Sequence, residues 1–350
     1  MRGPSSNGPR MITASVTPRQ LEPRTWQQEL AEAITSPEEL AEALGLSLWT
    51  LVGAHAAGKH FSLRVPRSFV ARMRPGDPAD PLLRQVLPAA AELATEADYS
   101  ADPVGERGAL RAHGLLQKYH GRALLITTAT CAVHCRYCFR REFPYAEQSG
   151  DAPRWSEALA EIRTDTSLEE IILSGGDPLS LSNARLESLT RALATIPHVR
   201  RIRVHTRQPV VLPSRVDAGL LQWLRTSVLP TVVVLHVNHP NELDAELTAA
   251  CARLRATGTT LLNQSVLLTG VNDDVEVLSQ LSRRLFDAGV LPYYLHALDR
   301  VRGAAHFAVA DERAQALAGQ LAAQLPGYLV PRLVREVPGA PAKVPLVSTF

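Results

Sequence analysis

An α/β fold, a partial (β/α)6 barrel of the TIM type with an N-terminal helical extension, is what this 350-residue sequence predicts. Two patterns carry the prediction. Apolar runs at 122–128, 170–175, 201–206, 231–237, 260–268 and 291–298 alternate with helical patterns at about 154–163, 183–195, 215–226, 241–257 and 274–288. Continuous apolar strands separated by helices argue for a parallel sheet covered by helices, and their steady spacing favours a barrel over a flat doubly wound sheet. In addition, the ends of these runs collect polar residues.

In chain order, residues 1–20 hold Pro, Gly and Ser and read as a loose tail in which Met11 is a second candidate start. Residues 21–110 form a helical region. Its run TWQQELAEAITSPEELAEALGL suggests short amphipathic helices, with Ser36-Pro37-Glu38-Glu39 as a cap and first turn, and 62–110 is a loop-rich lead-in. Residues 111–310 hold the barrel and 311–350 a C-terminal segment.

Composition narrows the class. Hydrophobic content of 45%, charged content of 21% and a net charge of +2 describe an ordinary globular protein without the one-sign block that tracks a phosphate backbone. Nucleic acid is therefore not an expected partner. Neither is a membrane, since no apolar run reaches the 18 or so residues of a span. The N-terminus has positive charge but no apolar segment behind it, so it does not read as a signal peptide, and the cytoplasm is the expected location.

Four cysteines are too few for a disulfide framework in a chain of this length. Cys251 lies in a helical pattern and reads as a small buried hydrophobe. The other three, Cys131, Cys135 and Cys138, follow the first strand in TATCAVHCRYCFRR. In parallel α/β folds chemistry gathers at the C-terminal ends of strands. Here Ser174-Gly175-Gly176-Asp177 follows the second strand, His205 and Arg207 end the third, and His236, Asn238 and His239 the fourth. Gln264 and Ser265 lie in the fifth, and His296 and Asp299 finish the sixth. Polar groups in apolar strands are costly unless paired or used.

The C-x3-C-x2-C spacing supplies three thiolates and no nearby fourth. A closed zinc site needs four protein ligands and would have to recruit a distant histidine or Cys251. A [4Fe–4S] cubane held by three thiolates leaves one iron open, as a reaction at iron requires. A redox dithiol is the remaining alternative. His134, inside the loop, competes as a ligand in principle but reads more simply as a loop residue beside the thiols.

Cys131-Ala-Val-His-Cys135-Arg-Tyr-Cys138 resembles the signature of the radical S-adenosylmethionine superfamily. The flanking YHGRALLITTATCAVHCRYCFRREFPY, ILSGGDPL, HVNHPNE, LLNQSVLLTGVND, LPYYLHALDRVRGAAHF and YLVPRLVREVPGAPAKVPL resemble, in order and spacing, the lysine 2,3-aminomutase family. Within it, ITSPEELAEALGL, FSLRVPRSFVARM and DPLLRQVL are similar to the short branch that serves β-lysylation of elongation factor P. The resemblance runs from about residue 20 to 346.

The resemblance implies a [4Fe–4S] cluster on Cys131, Cys135 and Cys138, S-adenosylmethionine chelating the open iron, and pyridoxal 5'-phosphate. Gly175, Gly176 and Asp177 match the motif that holds the methionine part, and Gln264 is a further cofactor contact. By itself GGDP is equally a tight turn; two glycines permit close backbone approach and free amide donors. Lys343 matches the lysine that carries pyridoxal phosphate, which makes 311–350 the pyridoxal-phosphate-binding segment, although an isolated lysine is ordinarily a surface residue. Arg122 matches the phosphate-gripping arginine, with Tyr119 its neighbour.

Arg140 matches the arginine that pairs with the substrate α-carboxylate, its bland reading being a solvated member of Arg140-Arg141. Asp299 and Glu336 match the acids that receive the far amino group, Glu336 standing where the family has aspartate. The reaction implied is L-α-lysine to (R)-β-lysine, with free L-lysine as substrate, an electron donor such as flavodoxin, and the elongation factor P ligase taking the product. A homo-oligomer is compatible with it. Three alternatives stand beside this reading. One is a stand-alone aminomutase giving (S)-β-lysine, whose longer relatives add a cysteine-bearing C-terminal segment. A methylthiotransferase would lack the Lys343 and Arg122 pair, and a non-enzymatic iron–sulfur or zinc module would not cleave S-adenosylmethionine.

Overall fold

A computed structural model describes Gly3, residues 24–145 and residues 152–347. The expected tail over 1–20, Gly3 apart, lies outside the described residues. The amphipathic N-terminal run forms helices Trp26–Ala31 and Pro37–Leu44. Thr25 caps the first through a capping box, Ser36 the second with Pro37 in its first turn, and Gly45 closes it at φ +62°.

Ten strands form one sheet in sequential order: β1 (Leu110–Ala112), β2 (Leu115–Tyr119), β3 (Arg122–Thr128), β4 (Glu170–Gly175), β5 (Arg201–Thr206), β6 (Thr231–Leu235), β7 (Thr260–Val266), β8 (Leu291–His296), β9 (Arg332–Arg335) and β10 (Val344–Pro345). From β3 to β9 every pairing is parallel, whereas β1, β2 and β3 form an antiparallel meander and β10 turns back on β9. β1 and β10 are the edges, so the sheet is a partial barrel.

The six expected strands coincide with β3 to β8, each starting where the apolar run starts. Those ending early, β6 to β8, give their last residues to loops. Helices Ala218–Thr226 and Ala245–Arg255 begin a few residues later than the apolar pattern suggests, because Asp217 and Asp244 cap them through their carboxylates. β9 is a seventh parallel strand that periodicity did not reveal. Its sequence, R-L-V-R, offers only two apolar residues, and Arg335 is satisfied by Asp311 on the helix Asp311–Gln324 at 2.7 and 2.5 Å.

Alternation along each strand sorts side chains by face. Leu173, Ile202, Val204, Val233 and Leu261 pack against Ile162, Leu189, Leu193, Leu224 and Leu285 of the surrounding helices. The opposite face carries Arg203, His205, Gln264, Tyr294 and His296, which line the interior. A separate core joins the N-terminal helices to the cysteine loop, with Trp26, Leu40, Phe69 and Leu82 clustering with Ala132 and Val133. No helix among the described residues is long and apolar enough to cross a membrane.

Between two of the cysteines, Arg136 is fully buried and donates to both oxygens of Glu92 at 2.8 and 2.5 Å, while Arg141 donates to the same carboxylate at 2.7 Å. Removing one partner of a buried pair strands a desolvated charge, at about 3 to 5 kcal/mol. Arg136→Met is therefore expected to destabilise the apo-protein by about 3 kcal/mol in urea unfolding, the low end because Arg141 still pairs with Glu92. Arg191→Met, which removes an exposed pair with Glu187, is expected to change stability little.

Candidate active site

The strand ends surround a cavity of ≈ 350 Å³, and every residue to which the resemblance gives a role, from Tyr119 to Lys343, lines it, whereas the strand-end residues His239 and Ser265 do not. At one end stands the cysteine loop that follows β3. Burial pushes the Cys131 thiol well up, with the Asp177 charge and the other thiols adding to it, and pushes Cys138 up to about 11. Among the described residues no three His, Cys, Asp or Glu side chains are arranged to hold a single metal ion. A cubane makes a different demand, because each thiolate binds its own iron.

The glycines after β4 are explained by this loop. A Cβ on Gly176 would lie 2.5 Å from the Thr130 carbonyl oxygen, and one on Gly175, at φ +120°, 2.7 Å from that of Thr128. The expectation of free amide donors is corrected here. Gly176 N–H donates to the Thr128 carbonyl at 2.7 Å and Asp177 N–H to that of Thr130 at 2.8 Å, so both amides tie the strand end to the cysteine loop.

Asp177 is likewise engaged with the protein. Its carboxylate accepts from the Thr206 hydroxyl at 2.7 Å and from the amides of Leu179, Arg207 and Gln208 at 3.0, 2.7 and 2.9 Å. Burial raises its pKa against the pull of these bonds. The arrangement pins the end of β4 to the end of β5.

Arg140 is buried, which removes the solvated reading. Its guanidinium does not stand open for a substrate, however, because Glu106 takes the Nε–Nη2 edge at 2.7 and 2.6 Å. Nη1 donates to Ser174 Oγ at 2.9 Å and to the Gly175 carbonyl at 3.3 Å. A guanidinium this deep needs a counter-charge. Glu106 lies in the lead-in, 34 residues away, and nothing in the local sequence marked it.

At the other end, Lys343 is the last residue of the irregular connection between β9 and β10. β9 and β10 form a hairpin in which Val344 faces Arg335, and the turn uses Gly339 at φ +78°. This register sets Lys343 across from Glu336, with Nζ donating to Oε2 at 2.5 Å and lying 5.8 Å from the Tyr294 ring centroid. Lys118, unmarked in the sequence reading, donates to the other Glu336 oxygen at 3.3 Å. Burial would raise the Glu336 carboxyl, but Lys343 and Lys118 hold it down at about 2. Arg122 faces Tyr119 across the β2–β3 turn, its guanidinium 4.7 Å from the ring centroid.

On the inner wall, burial and the Lys343 charge push His296 down to about 3, and burial and the Arg207 charge do the same to His236. Burial and the Arg203 charge lower His205 well below the usual histidine range. His236 Nε2 lies 2.7 Å from the Gln264 amide nitrogen. His205 Nε2 and His296 Nε2 are buried with no partner among the described residues. Orphaned polar atoms lining a cavity point to a bound group that would satisfy them. The donor set fits the groups expected: three thiols for a cluster at one end, an amine with a nearby guanidinium for pyridoxal phosphate at the other.

A half-open parallel barrel with three clustered thiols at its mouth defines the radical S-adenosylmethionine class, and the Radical SAM superfamily model matches residues 125–281. L-lysine 2,3-aminomutase of Escherichia coli (strain K12) is 48% identical over 322 residues, covering 92% of this chain and 94% of that protein. The Haemophilus influenzae protein of the same name is 45% identical over 322 residues, covering 92% and 95%, and the Clostridium subterminale one 35% identical over 328 residues, covering 93% and 78%. The chain belongs to the lysine 2,3-aminomutase family. It is accordingly an isomerase whose cofactors are a [4Fe–4S] cluster, S-adenosylmethionine and pyridoxal phosphate.

Asp299 gives a pH-dependent test of how closed the cavity is. Burial raises its carboxyl from 3.8 to about 7, although Lys343 pulls it down. Between these values the unfolded chain loses the proton before the folded one, so this group costs stability progressively as pH rises from about 4 to 7. Asp299→Asn removes the cost. Its melting temperature, measured on apo-protein, is expected to match wild type near pH 4 and to exceed it by a growing margin up to pH 7.

Proposed function

We propose that this enzyme converts free L-lysine to (R)-β-lysine for attachment to elongation factor P. The observation that carries the aminomutase part is the shared cavity: the three thiols and the Lys343–Glu336 hairpin open into one space of ≈ 350 Å³. When bound, the cluster and S-adenosylmethionine would supply radical chemistry at an unactivated C–H bond of lysine, and pyridoxal phosphate would supply a conjugated ring for the amino group.

The roles of the chain's own residues follow from placement. Cys131, Cys135 and Cys138 hold the cluster. The turn at Gly175, Gly176 and Asp177 shapes the wall against which S-adenosylmethionine lies, and Gln264 with His236 offers it polar contacts. Lys343 carries pyridoxal phosphate, Arg122 neutralises the phosphate, and Tyr119 positions Arg122 by stacking. Arg140 receives the substrate α-carboxylate by exchanging its Nη1 bonds to Ser174 and the Gly175 carbonyl for the substrate, while Glu106 keeps the Nε–Nη2 edge. Asp299 and Glu336 receive the far ammonium, in competition with Lys118. Leaving a buried charge unpaired costs about 2 to 5 kcal/mol, which disfavours glutamate and ornithine. The barrel wall around the cavity keeps water from the reacting carbon.

The assignment to elongation factor P is supported by the quoted stretches before the barrel. The identity of 48% to the E. coli protein, against 35% to the Clostridium one, supports the same grouping. The reaction then takes place in the cytoplasm, with an electron donor such as flavodoxin and the elongation factor P ligase downstream. Reduced enzyme incubated with L-lysine, S-adenosylmethionine and pyridoxal phosphate is expected to yield predominantly (R)-β-lysine on chiral chromatography. Predominantly (S)-β-lysine would assign the chain to the stand-alone aminomutases, and no β-lysine would remove the substrate assignment.

A further inference from the structure

Arg207, at the end of β5, has no role in the account so far. Its side chain is 5% exposed and runs behind the cysteine loop. Nη1 donates to Cys135 Sγ at 2.9 Å and to the Tyr137 hydroxyl at 2.6 Å, and Nη2 donates to Gln85 Oε1 at 2.6 Å and to Glu242 Oε2 at 3.1 Å.

The surrounding groups fix this guanidinium in place. Asn238 donates to the Tyr137 hydroxyl at 2.6 Å and to Gln85 Oε1 at 3.0 Å, Gln85 donates to Glu242 Oε1 at 3.2 Å, and the Arg207 amide is held by Asp177. The Gln85 carbonyl in turn accepts from the Arg136 amide at 2.9 Å, which ties the network to the residue after Cys135. Neither Cys131 nor Cys138 receives a side-chain donor of this kind among the hydrogen bonds of the described residues. The three thiols are therefore inequivalent.

We propose that Arg207 is a positioning residue that orients the Cys135 sulfur and, through a charged hydrogen bond to it, sets the reduction potential of the cluster. This rests on the reading that the three cysteines hold the cluster. A donor to a coordinating sulfur stabilises the more electron-rich state, and a positive charge next to that sulfur adds to the effect. Reduction adds one electron to the cluster and breaks no protein bond, so Arg207 favours the reduced state that must form before S-adenosylmethionine is cleaved. Glu242 opposes it by offsetting part of the guanidinium charge. The two residues thus act on the potential with opposite signs, which a purely structural role would not produce.

The test is an EPR-monitored potentiometric titration of anaerobically reconstituted wild type, Arg207→Lys, Arg207→Gln and Glu242→Gln, with iron and sulfide counted per chain. Arg207→Gln is expected to lower the potential enough to change the oxidised-to-reduced ratio about tenfold at a fixed potential, which is about 59 mV for a one-electron couple. Arg207→Lys, which keeps the charge, is expected to recover part of the shift, and Glu242→Gln to move the potential upward. Where Arg207→Gln fails to assemble a cluster, the lysine variant and Glu242→Gln decide the sign. Intact clusters with unchanged potentials, or shifts of the same sign in Arg207→Gln and Glu242→Gln, would overturn the inference. Failure of wild type to bind iron would instead overturn the cluster reading.

Discussion

Buried guanidinium–carboxylate pairing within and just after the run of three thiols is the constraint on which the rest of the structure depends. The loop after β3 has little secondary structure, yet it carries Arg136 and Arg140, each fastened by two hydrogen bonds to a carboxylate. Both carboxylates come from the chain before the barrel: Glu92 holds Arg136 and Glu106 holds Arg140. Apolar contact of Ala132 and Val133 with the N-terminal core completes the attachment. Such pairs add little net stability against a well-packed apolar alternative, but they penalise any arrangement that leaves one partner unpaired. The N-terminal region is thus better understood as the base of the cysteine loop than as an appendage.

The same logic extends around the barrel mouth. Asp177 gathers the ends of β4 and β5, and Arg207 joins β5 to the cysteine loop. Asn238 donates to Tyr137, and its side-chain oxygen accepts from the Val266 amide, which links the ends of β6 and β7. At the open edge, the β9–β10 hairpin closes the circuit by setting Lys343 across from Glu336. A preorganised polar mouth over an apolar helix-packed wall suits radical chemistry, where reacting groups must stay aligned and water excluded.

Much of this was legible in the sequence, for identifiable reasons. β3 to β8 announce themselves because their outward faces must be apolar to meet helices, and the cysteine spacing is dense enough to stand out. β9 stayed hidden because its arginines obscure a strand of four residues, and β10 because Val344-Pro345 is too short to carry a period. Glu106 and Lys118 were invisible for another reason. Their partners lie 34 and 218 residues away, and a lone charged residue in a loop-rich stretch looks solvated until the fold brings its partner to it. The glycines of GGDP permit free amide donors, whereas the Gly176 and Asp177 amides and the Asp177 carboxylate are consumed by the protein; a turn's conformation is a local property, but the destination of its hydrogen bonds is not.

The central claim is that a radical source at the thiols and an amino-group carrier at Lys343 act on one lysine within one cavity. Lysine deuterated at Cβ tests it most directly, by mass spectrometry of the product and of recovered S-adenosylmethionine after turnover with pyridoxal phosphate. The account predicts deuterium at the 5' carbon of S-adenosylmethionine and at the α-carbon of β-lysine, with no loss to solvent. Both deuteriums retained at the original carbon, or the transferred deuterium exchanged wholly with water, would contradict it.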